Sequence, residues 1–252
     1  MPGRVEILGS GAAEMTPAFN CHCEACEEAR REHRLRRRCA CVLVELDGSR
    51  LLIDVGSPEA VVEAGEKEVK TLLLSHEHVD HLAGLNLLKW SSTKVNVYCS
   101  NHVLNSYYVW PFAAKNRDVV EFNTVEAFKT FKVPVAITPI PLNHSVPTLG
   151  FIIENAVAYL LDTVNLPEDS LKRLREAKVQ VMLVDATYGL REDYVNHNNL
   201  SLALELVRKT EPTIAVLTHI AHYAGRFKEL ERAVEELSWV KIALDHSTFT
   251  LT

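Results

Sequence analysis

The stretch Thr71–Leu85, TLLLSHEHVDHLAGL, constrains the fold more than any other part of the chain. Thr71 to Leu74 is a short apolar run with the length and flanks of a buried strand. His76, His78, Asp80 and His81 follow at its end, and Leu82 to Trp90 then runs apolar at helical spacing. The pattern predicts strand, polar turn and helix in one unit. His76 and His78 alternate as on an extended chain, so their rings point the same way. Asp80 and His81 stand where the chain curls into the helix and face a second point. One turn thus offers ligands for two cations side by side, the alternative being a polar surface turn.

Each cation needs about four donors, so others must come from elsewhere. His144 follows the apolar run Ile137–Leu142, Asp162 follows Ala158–Leu161, and His219 follows Ile214–Leu217. Each polar residue stands where a strand ends, and strand ends on one rim of a sheet converge. Taken singly, each is equally readable as structural. Asp54 closes the second arm of a hairpin, Cys41–Leu46 and Arg50–Ile53 around Asp47-Gly48, a strong two-residue turn signal. His197, in Tyr194-Val195-Asn196-His197-Asn198, lies in a polar loop before a helix. A histidine there is a candidate proton donor, with helix capping the plainer role.

Cys21-x-Cys23-x-x-Cys26 is a second ligand cluster. Three thiolates this close suit zinc but need a fourth donor to close a structural site, with His22, His33, Cys39, Cys41 and His222 as candidates. A redox cluster is the weaker reading, because no strand–helix–strand context surrounds it. Cys99 lies in a strand and is expected in the core. The only marked basic run is Arg30, Arg31, Arg34 and Arg36–Arg38, expected as a solvated helix face and alternatively as an anchor for a substrate phosphate.

The 252 residues, 47% hydrophobic and 24% charged, have ordinary globular composition. A formal charge of −6 argues against a general binder of nucleic-acid phosphates. No secretory signal and no bilayer-length apolar run are seen. The expectation is cytoplasmic, with the six cysteines as thiols or ligands rather than disulfides. Strands are expected at Val5–Leu8, Val95–Cys99, Val135–Ile140, Gly150–Glu154, Val157–Leu161, Val181–Val184, Ile214–Leu217, Lys241–Leu244 and Thr248–Leu251. Helices are expected at Glu24–Arg38, Pro58–Ala64, His102–Val109, Glu168–Lys178, Ser201–Thr210 and Phe227–Ser238, and Phe112–Lys132 reads mostly as loop. This alternation predicts an α/β protein, one domain over residues 1–252, with helices on the outer faces of its sheets.

H-x-H-x-D-H after an apolar strand, with His144, Asp162 and His219 in that order, resembles the metallo-β-lactamase-fold phosphodiesterases over the whole chain. The resemblance implies an αββα sandwich with the site along one edge. His76, His78 and His144 would hold one metal and Asp80, His81 and His219 the other, with Asp162 bridging and Asp54 orienting ligands from behind. It gives His197 the role of general acid. The cysteine loop resembles that of the PhnP-like branch, phosphodiesterases of phosphoribosyl 1,2-cyclic phosphate in the carbon–phosphorus lyase pathway, and a related loop of the pyrroloquinoline-quinone branch. It points to His222 as the fourth ligand of an N-terminal zinc-binding loop over residues 21–26. Expected cofactors are therefore two divalent cations, zinc, manganese or iron, and one structural zinc. The expected partner is a small phosphodiester, with no nucleic acid and no membrane, and a homodimer is the assembly to test. Rival readings are a tRNA 3′-processing nuclease, a thioester or lactone hydrolase, and a metal-binding accessory protein. The chain departs from the family in carrying Asp245-His246-Ser247 where Asp-Gly-Met is common, and Glu77 and Val79 fill variable motif positions.

Overall fold

The computed structural model describes residues 2–193 and 195–252; Tyr194, in the loop that carries His197, lies outside them. In chain order the first half runs β1 (Gly3–Gly9), α1 (Glu24–Arg31), β2 (Cys41–Leu46), β3 (Ser49–Ile53), α2 (Pro58–Gly65), β4 (Thr71–Leu73), α3 (Val79–Leu82), β5 (Val95–Cys99), α4 (Asn101–Leu104), α5 (Val109–Lys115) and β6 (Val120–Thr124). The second half runs β7 (Phe131–Val133), β8 (Val135–Leu142), β9 (Thr148–Ile153), β10 (Val157–Leu160), α6 (Glu168–Ala177), β11 (Val181–Asp185), α7 (Leu200–Thr210), β12 (Ile214–Thr218), α8 (Phe227–Val234), β13 (Val240–Ile242) and β14 (Thr248–Leu251).

The strands form two seven-stranded sheets, ordered β14-β1-β2-β3-β4-β5-β6 and β13-β12-β11-β10-β9-β8-β7. Pairing is antiparallel from β14 to β3 and from β7 to β10, with short hairpin-type links joining β2 to β3 and β7 through β10 in turn. It is parallel from β3 to β6 and from β10 to β13. A parallel pair needs a crossover, and helices supply it at every such step. Those helices cover the outer faces and make the sheets bury both sides.

Alternation along β2 displays the layering. Val42, Val44 and Leu46 face the second sheet with Ile137, Phe151 and Tyr159, while Cys41 and Leu43 face α2 and the segment after α3. A third cluster packs α6, α7 and α8 on the other sheet. The result is the expected αββα sandwich, with Cys99 in its core. Truncating a side chain such as Leu43, fully buried, to alanine would cost about 2–5 kcal/mol.

Four local expectations are corrected. The helix expected over Leu82–Trp90 is one α-turn, α3, followed by a 3₁₀ segment, Leu85–Trp90. Gly84 N–H bonds the Val55 carbonyl at 2.7 Å instead of continuing the helix. The Phe112–Lys132 loop contains the end of α5, all of β6 and the start of β7. Pro111 lies in the first turn of α5, where a proline is tolerated, and β6 is an edge strand whose alternate residues, Glu121 and Asn123, are not buried. Likewise His102–Val109 divides into α4 and the start of α5.

The basic run is not one helix face. The α-helix stops at Arg31, and Arg37 is only 5% exposed, bonding Ser10 Oγ and the Ala243 carbonyl. Arg38 pairs with Glu63 and Asp245, leaving these two guanidinium groups committed inside the fold. Asp245 also accepts bonds from the backbone and hydroxyl of Ser10, and His246 stands at φ 67°, where glycine would be at ease. No helix among the described residues is long and apolar enough to cross a membrane.

Candidate metal centre

The polar strand ends gather on one rim, as the carboxyl ends of parallel strands do in open α/β sheets. Asp54 follows β3, the His76–His81 turn follows β4, Asp162 follows β10, and His219 follows β12. His144 comes from the end of β8, an antiparallel strand. Asp54, Asp162 and His219 take φ of 57°, 60° and 60°, turning their side chains inward at the strand ends. Val55 N–H donates to the His81 carbonyl at 2.9 Å. The neighbouring Gly56 lies so close that a Cβ would stand 1.8 Å from the Asp80 carbonyl oxygen.

Two overlapping groups of donors result: His76, His78, His144 and Asp162, and Asp80, His81, Asp162 and His219. Their hydrogen bonds determine which ring atoms are bare. Ser75 Oγ donates to Asp54 Oδ2 at 2.7 Å and therefore accepts from His76 Nδ1–H at 2.9 Å. His81 Nδ1–H donates to Asp54 Oδ2 at 2.7 Å. Thr187 Oγ1 donates to Asp185 and accepts from His219 Nδ1–H at 2.9 Å. His144 Nδ1–H donates to the Asn196 carbonyl at 3.1 Å. With Nδ1 protonated in all four neutral rings, each Nε2 carries a lone pair.

These lone pairs face one another. His81 Nε2 and His219 Nε2 are 3.3 Å apart, with Asp162 Oδ2 at 2.9 and 3.4 Å and Asp80 Oδ2 at 3.5 and 3.6 Å. On the other side, His144 Nε2 lies 3.2 Å from His78 Nδ1, and Asp162 Oδ1 lies 3.7 Å from His76 Nε2 and 3.5 Å from His144 Nε2. His76 Nε2 and Asp162 Oδ2 are buried with no hydrogen-bond partner. Bare acceptors facing acceptors are unfavourable unless a cation sits among them. Adjacent donors of a tetrahedral site with bonds of about 2.0 Å lie about 3.3 Å apart, close to these spacings. Each of the two groups of donors could hold a metal ion, and Asp162 belongs to both.

The electrostatics of the metal-free cluster show the same need for positive charge, with a proton on His81 standing where a cation would otherwise face its neutral ring. Burial works against charge on His81, yet Asp162, Asp54 and Asp80 overcome it and hold its pKa well above the imidazole range. Burial also opposes ionisation of Asp162, but His219, His81 and His76 hold its pKa well below the carboxylate range. Asp80 is likewise lowered against burial, chiefly by His81. Burial, then neighbouring His81, push His76 the other way, towards the neutral ring a metal requires.

His197 stands beside this cluster. Its Nδ1–H donates to Asp185 Oδ2 at 2.7 Å, and its Nε2 lies 3.8 Å from Asp162 Oδ1. Burial lowers its pKa, but the Asp185 carboxylate outweighs burial and raises it to about 9. Asp185 is itself held by the Thr163 and Thr187 amides and the Thr187 hydroxyl. Asp54 sits behind His81 as expected, also accepting from Ser75 N–H and Tyr159 O–H at 2.8 and 2.6 Å. Asp185, Ser75, Thr187 and Tyr159 were not singled out from the sequence, although Asp185 closes an apolar strand just as Asp54 does.

Cys21, Cys23, Cys26 and His222 form a separate group of donors. His222 Nδ1 lies 3.3 Å from Cys21 Sγ and 3.4 Å from Cys23 Sγ. The other candidates point elsewhere: His22 pairs with Glu27 at 2.8 Å, and Cys39 Sγ faces the Ala12 and Ala13 carbonyls. His33 is exposed and Cys41 is buried in the core beneath α2. The Cys23 amide bonding to Cys21 Sγ lowers that thiol's pKa, whereas burial pushes Cys26 up to about 12. A cation among the thiols would reverse the burial effect by stabilising the thiolate.

Comparison with known proteins places this geometry among relatives. A family model described as a beta-lactamase superfamily domain matches residues 54–220. An octanoyltransferase of Porphyromonas gingivalis is 27% identical over 90% of the chain, which spans only 47% of that relative's length. A solved diphosphatase from the PhnP family superposes with TM-score 0.85 at 23% identity, covering 100% of this chain and 98% of that one. Zinc-bound PqqB from Methylobacterium extorquens superposes with TM-score 0.78 at 22% identity, covering 98% and 99%. At such identities these two structures share the fold.

Proposed function

The chain belongs to the β-lactamase superfamily, and from that premise we propose a metal-dependent phosphodiesterase that opens a small cyclic phosphodiester to a phosphomonoester. Phosphoribosyl 1,2-cyclic phosphate and 2′,3′-cyclic nucleotides are the substrate types. The observation that carries this reading is a proton-bearing histidine, His197, set against a cluster of otherwise bare acceptors. A departing thiolate has less need of such a group than a departing alkoxide does.

His76, His78, His144 and Asp162 would hold one cation and Asp80, His81, His219 and Asp162 the other, with zinc, manganese or iron all compatible with imidazole and carboxylate. When bound, the cations would supply Lewis acidity towards phosphoryl oxygens and lower the pKa of water. Cys21, Cys23, Cys26 and His222 would hold a third ion, zinc, in a closed site.

The chain's own residues account for orientation and the proton. Asp54, Ser75, Thr187 and the Asn196 carbonyl keep four imidazole rings in the tautomer that presents Nε2. As a water oxygen bonds to phosphorus, one ring P–O bond breaks and the departing oxygen takes the proton of His197 Nε2; one water proton stays on the phosphomonoester and the other restores the proton on His197. Asp185 keeps that histidine charged beforehand and stabilises its orientation. A second reading, acyl thioester hydrolysis, follows from the octanoyltransferase relative; a thiolate leaves without protonation and would not depend on His197.

The test uses zinc- or manganese-loaded protein against 2′,3′-cyclic AMP, glycerol 1,2-cyclic phosphate, bis(p-nitrophenyl) phosphate, an acyl thioester and precursor tRNA. Turnover of the cyclic esters should fall roughly 10²–10⁴-fold in His197→Ala, with a much smaller loss for the p-nitrophenyl ester, whose leaving group scarcely needs a proton. Precursor tRNA should be poor, since a chain of charge −6 gains little from counterion release. Absence of turnover for every small phosphodiester would overturn the proposal.

A further inference from the structure

Beside His197 lies a run of flat side chains that the proton transfer does not use. The Tyr188 ring centroid is 6.3 Å from that of His197, and the Tyr223 ring is 6.0 Å beyond Tyr188. Arg191 lays its guanidinium 5.4 Å over the Tyr223 ring. Tyr223 is 39% exposed, and the Arg191 side chain is 47% exposed. Tyr223 and Arg191 are therefore open to a ligand, and Tyr188 is half-buried between them and His197.

The surface is also fixed. Tyr188 and Arg191 belong to the loop after β11, whereas Tyr223 belongs to the loop after β12. Ala221 N–H donates to the Thr187 carbonyl at 3.1 Å and Leu190 N–H to the Ala224 carbonyl at 2.8 Å, tying the two loops together. Gly189, at φ 51°, permits this approach: a Cβ there would stand 2.4 Å from the Ala224 carbonyl oxygen. Asp193 grips Arg191 through two bonds of 2.7 and 2.8 Å. That pairing fixes the guanidinium plane and offsets its charge, so Arg191 extends a stacking surface more than it offers a phosphate anchor.

We infer that Tyr188, Tyr223 and Arg191 form a platform for a nucleobase, making nucleoside 2′,3′-cyclic phosphates the preferred substrate class of this site. The inference rests on the phosphodiesterase reading in one respect: the group beside the proton donor is the one that leaves. In a nucleoside 2′,3′-cyclic phosphate the departing oxygen belongs to the ribose, and the base is attached to that same sugar. Tyr188 is correspondingly the ring next to His197. Stacking tolerates any base, because each has a π face.

Binding and turnover separate this inference from the reading beneath it. Calorimetry on metal-loaded protein would compare adenosine 2′-phosphate with glycerol 1-phosphate, and kinetics would compare the two matching cyclic esters. The nucleoside member of each pair should be favoured. Tyr223→Ala should reduce that preference about 5- to 150-fold, the range for losing one base–aromatic stack. Tyr223→Phe should retain it, and zinc content should be unchanged in both variants.

A preference that survives Tyr223→Ala, or none in the parent protein, would overturn the platform. Loss of zinc with equal loss on both ligands would do the same, assigning Tyr223 to support of the neighbouring His222, whose ring is 5.1 Å away. Base-selective binding without phosphodiester turnover would uphold the platform and sink the phosphodiesterase reading. Turnover of both esters without base selectivity would do the reverse.

Discussion

The histidine–aspartate cluster and the cysteine cluster are both built from metal-binding side chains, yet they are held in opposite ways. Around the first, four imidazoles are each pinned by a bond from Nδ1 to Asp54, Ser75, Thr187 or a backbone carbonyl. Around the second, amides of Ala18 and Cys23 reach two thiols, and the thiols otherwise face His222. The first is organised by the protein before any ion arrives. The second has fewer bonds of its own to hold it. A cation bound at each would therefore add chemistry to one place and structure to the other.

Removing a ligand should separate the two most sharply at the cysteines. Cys23→Ser should abolish zinc binding there and cost about 4 kcal/mol of stability, the scale for losing a structural metal. That corresponds to a fall in Tm on the order of 10 °C, while the metals of the histidine cluster remain. Metal analysis and calorimetry on the same sample decide it, and zinc retained in full would break the contrast.

The second effect is smaller and falls on the other cluster. Asp54→Asn removes the carboxylate that orients His81 and should weaken active-site metal binding about 10–100-fold, leaving zinc at the cysteines untouched. Competition with a chelator would measure this. An unchanged affinity would mean that the ring needs no support from behind.

The smallest effect is on pH dependence. His197 is raised from 6.5 to about 9 in the folded chain, so its folded pKa exceeds its unfolded one. The stabilisation from its pairing with Asp185 is then complete below pH 6.5 and is lost as pH rises through about 9. In metal-free protein, NMR should find this imidazole titrating well above the others' ordinary range, and Asp185→Asn should bring it down. Titration of His197 below its ordinary value would remove the pre-charged proton donor from the comparison.

Much of this was legible because it is local. H-x-H-x-D-H spans six residues on one turn, and the strand-end rule found His144, Asp162 and His219 without knowledge of the sheets. The same rule applied to VMLVD would have found Asp185, but the predicted strand stopped at Val184. Ser75, Thr187 and Tyr159 were out of reach, since nothing in their neighbours announces a bond to a histidine or aspartate far along the chain. Arg37 misled for a related reason. Its burial follows from Ser10 and Ala243, which are remote in sequence, and a basic run reads as solvated until those partners are known. The β6 edge strand hid because its short run alternates Glu121 and Asn123 with only two apolar residues, Val120 and Phe122, and so reads as loop.

The left-handed backbone at Asp162 and His219 bears on how such a protein can change over generations. An L-residue in that region gives up about 1–2 kcal/mol relative to glycine or an ordinary conformation. Asp54 shares the conformation but recovers stability through its bonds to Ser75, His81 and Tyr159. Among the described residues Asp162 has no hydroxyl or amide to hold it and, without a cation, recovers stability only through the histidines around it, His81 Nε2 standing 2.9 Å from its Oδ2. A lineage freed from selection for turnover, or a library screened only for heat resistance, would therefore drift towards glycine at 162 and 219 while keeping every strand. The rim would fall silent before the fold weakened, and a sequence bearing glycine at both positions would mark a descendant that had kept the scaffold and abandoned the chemistry.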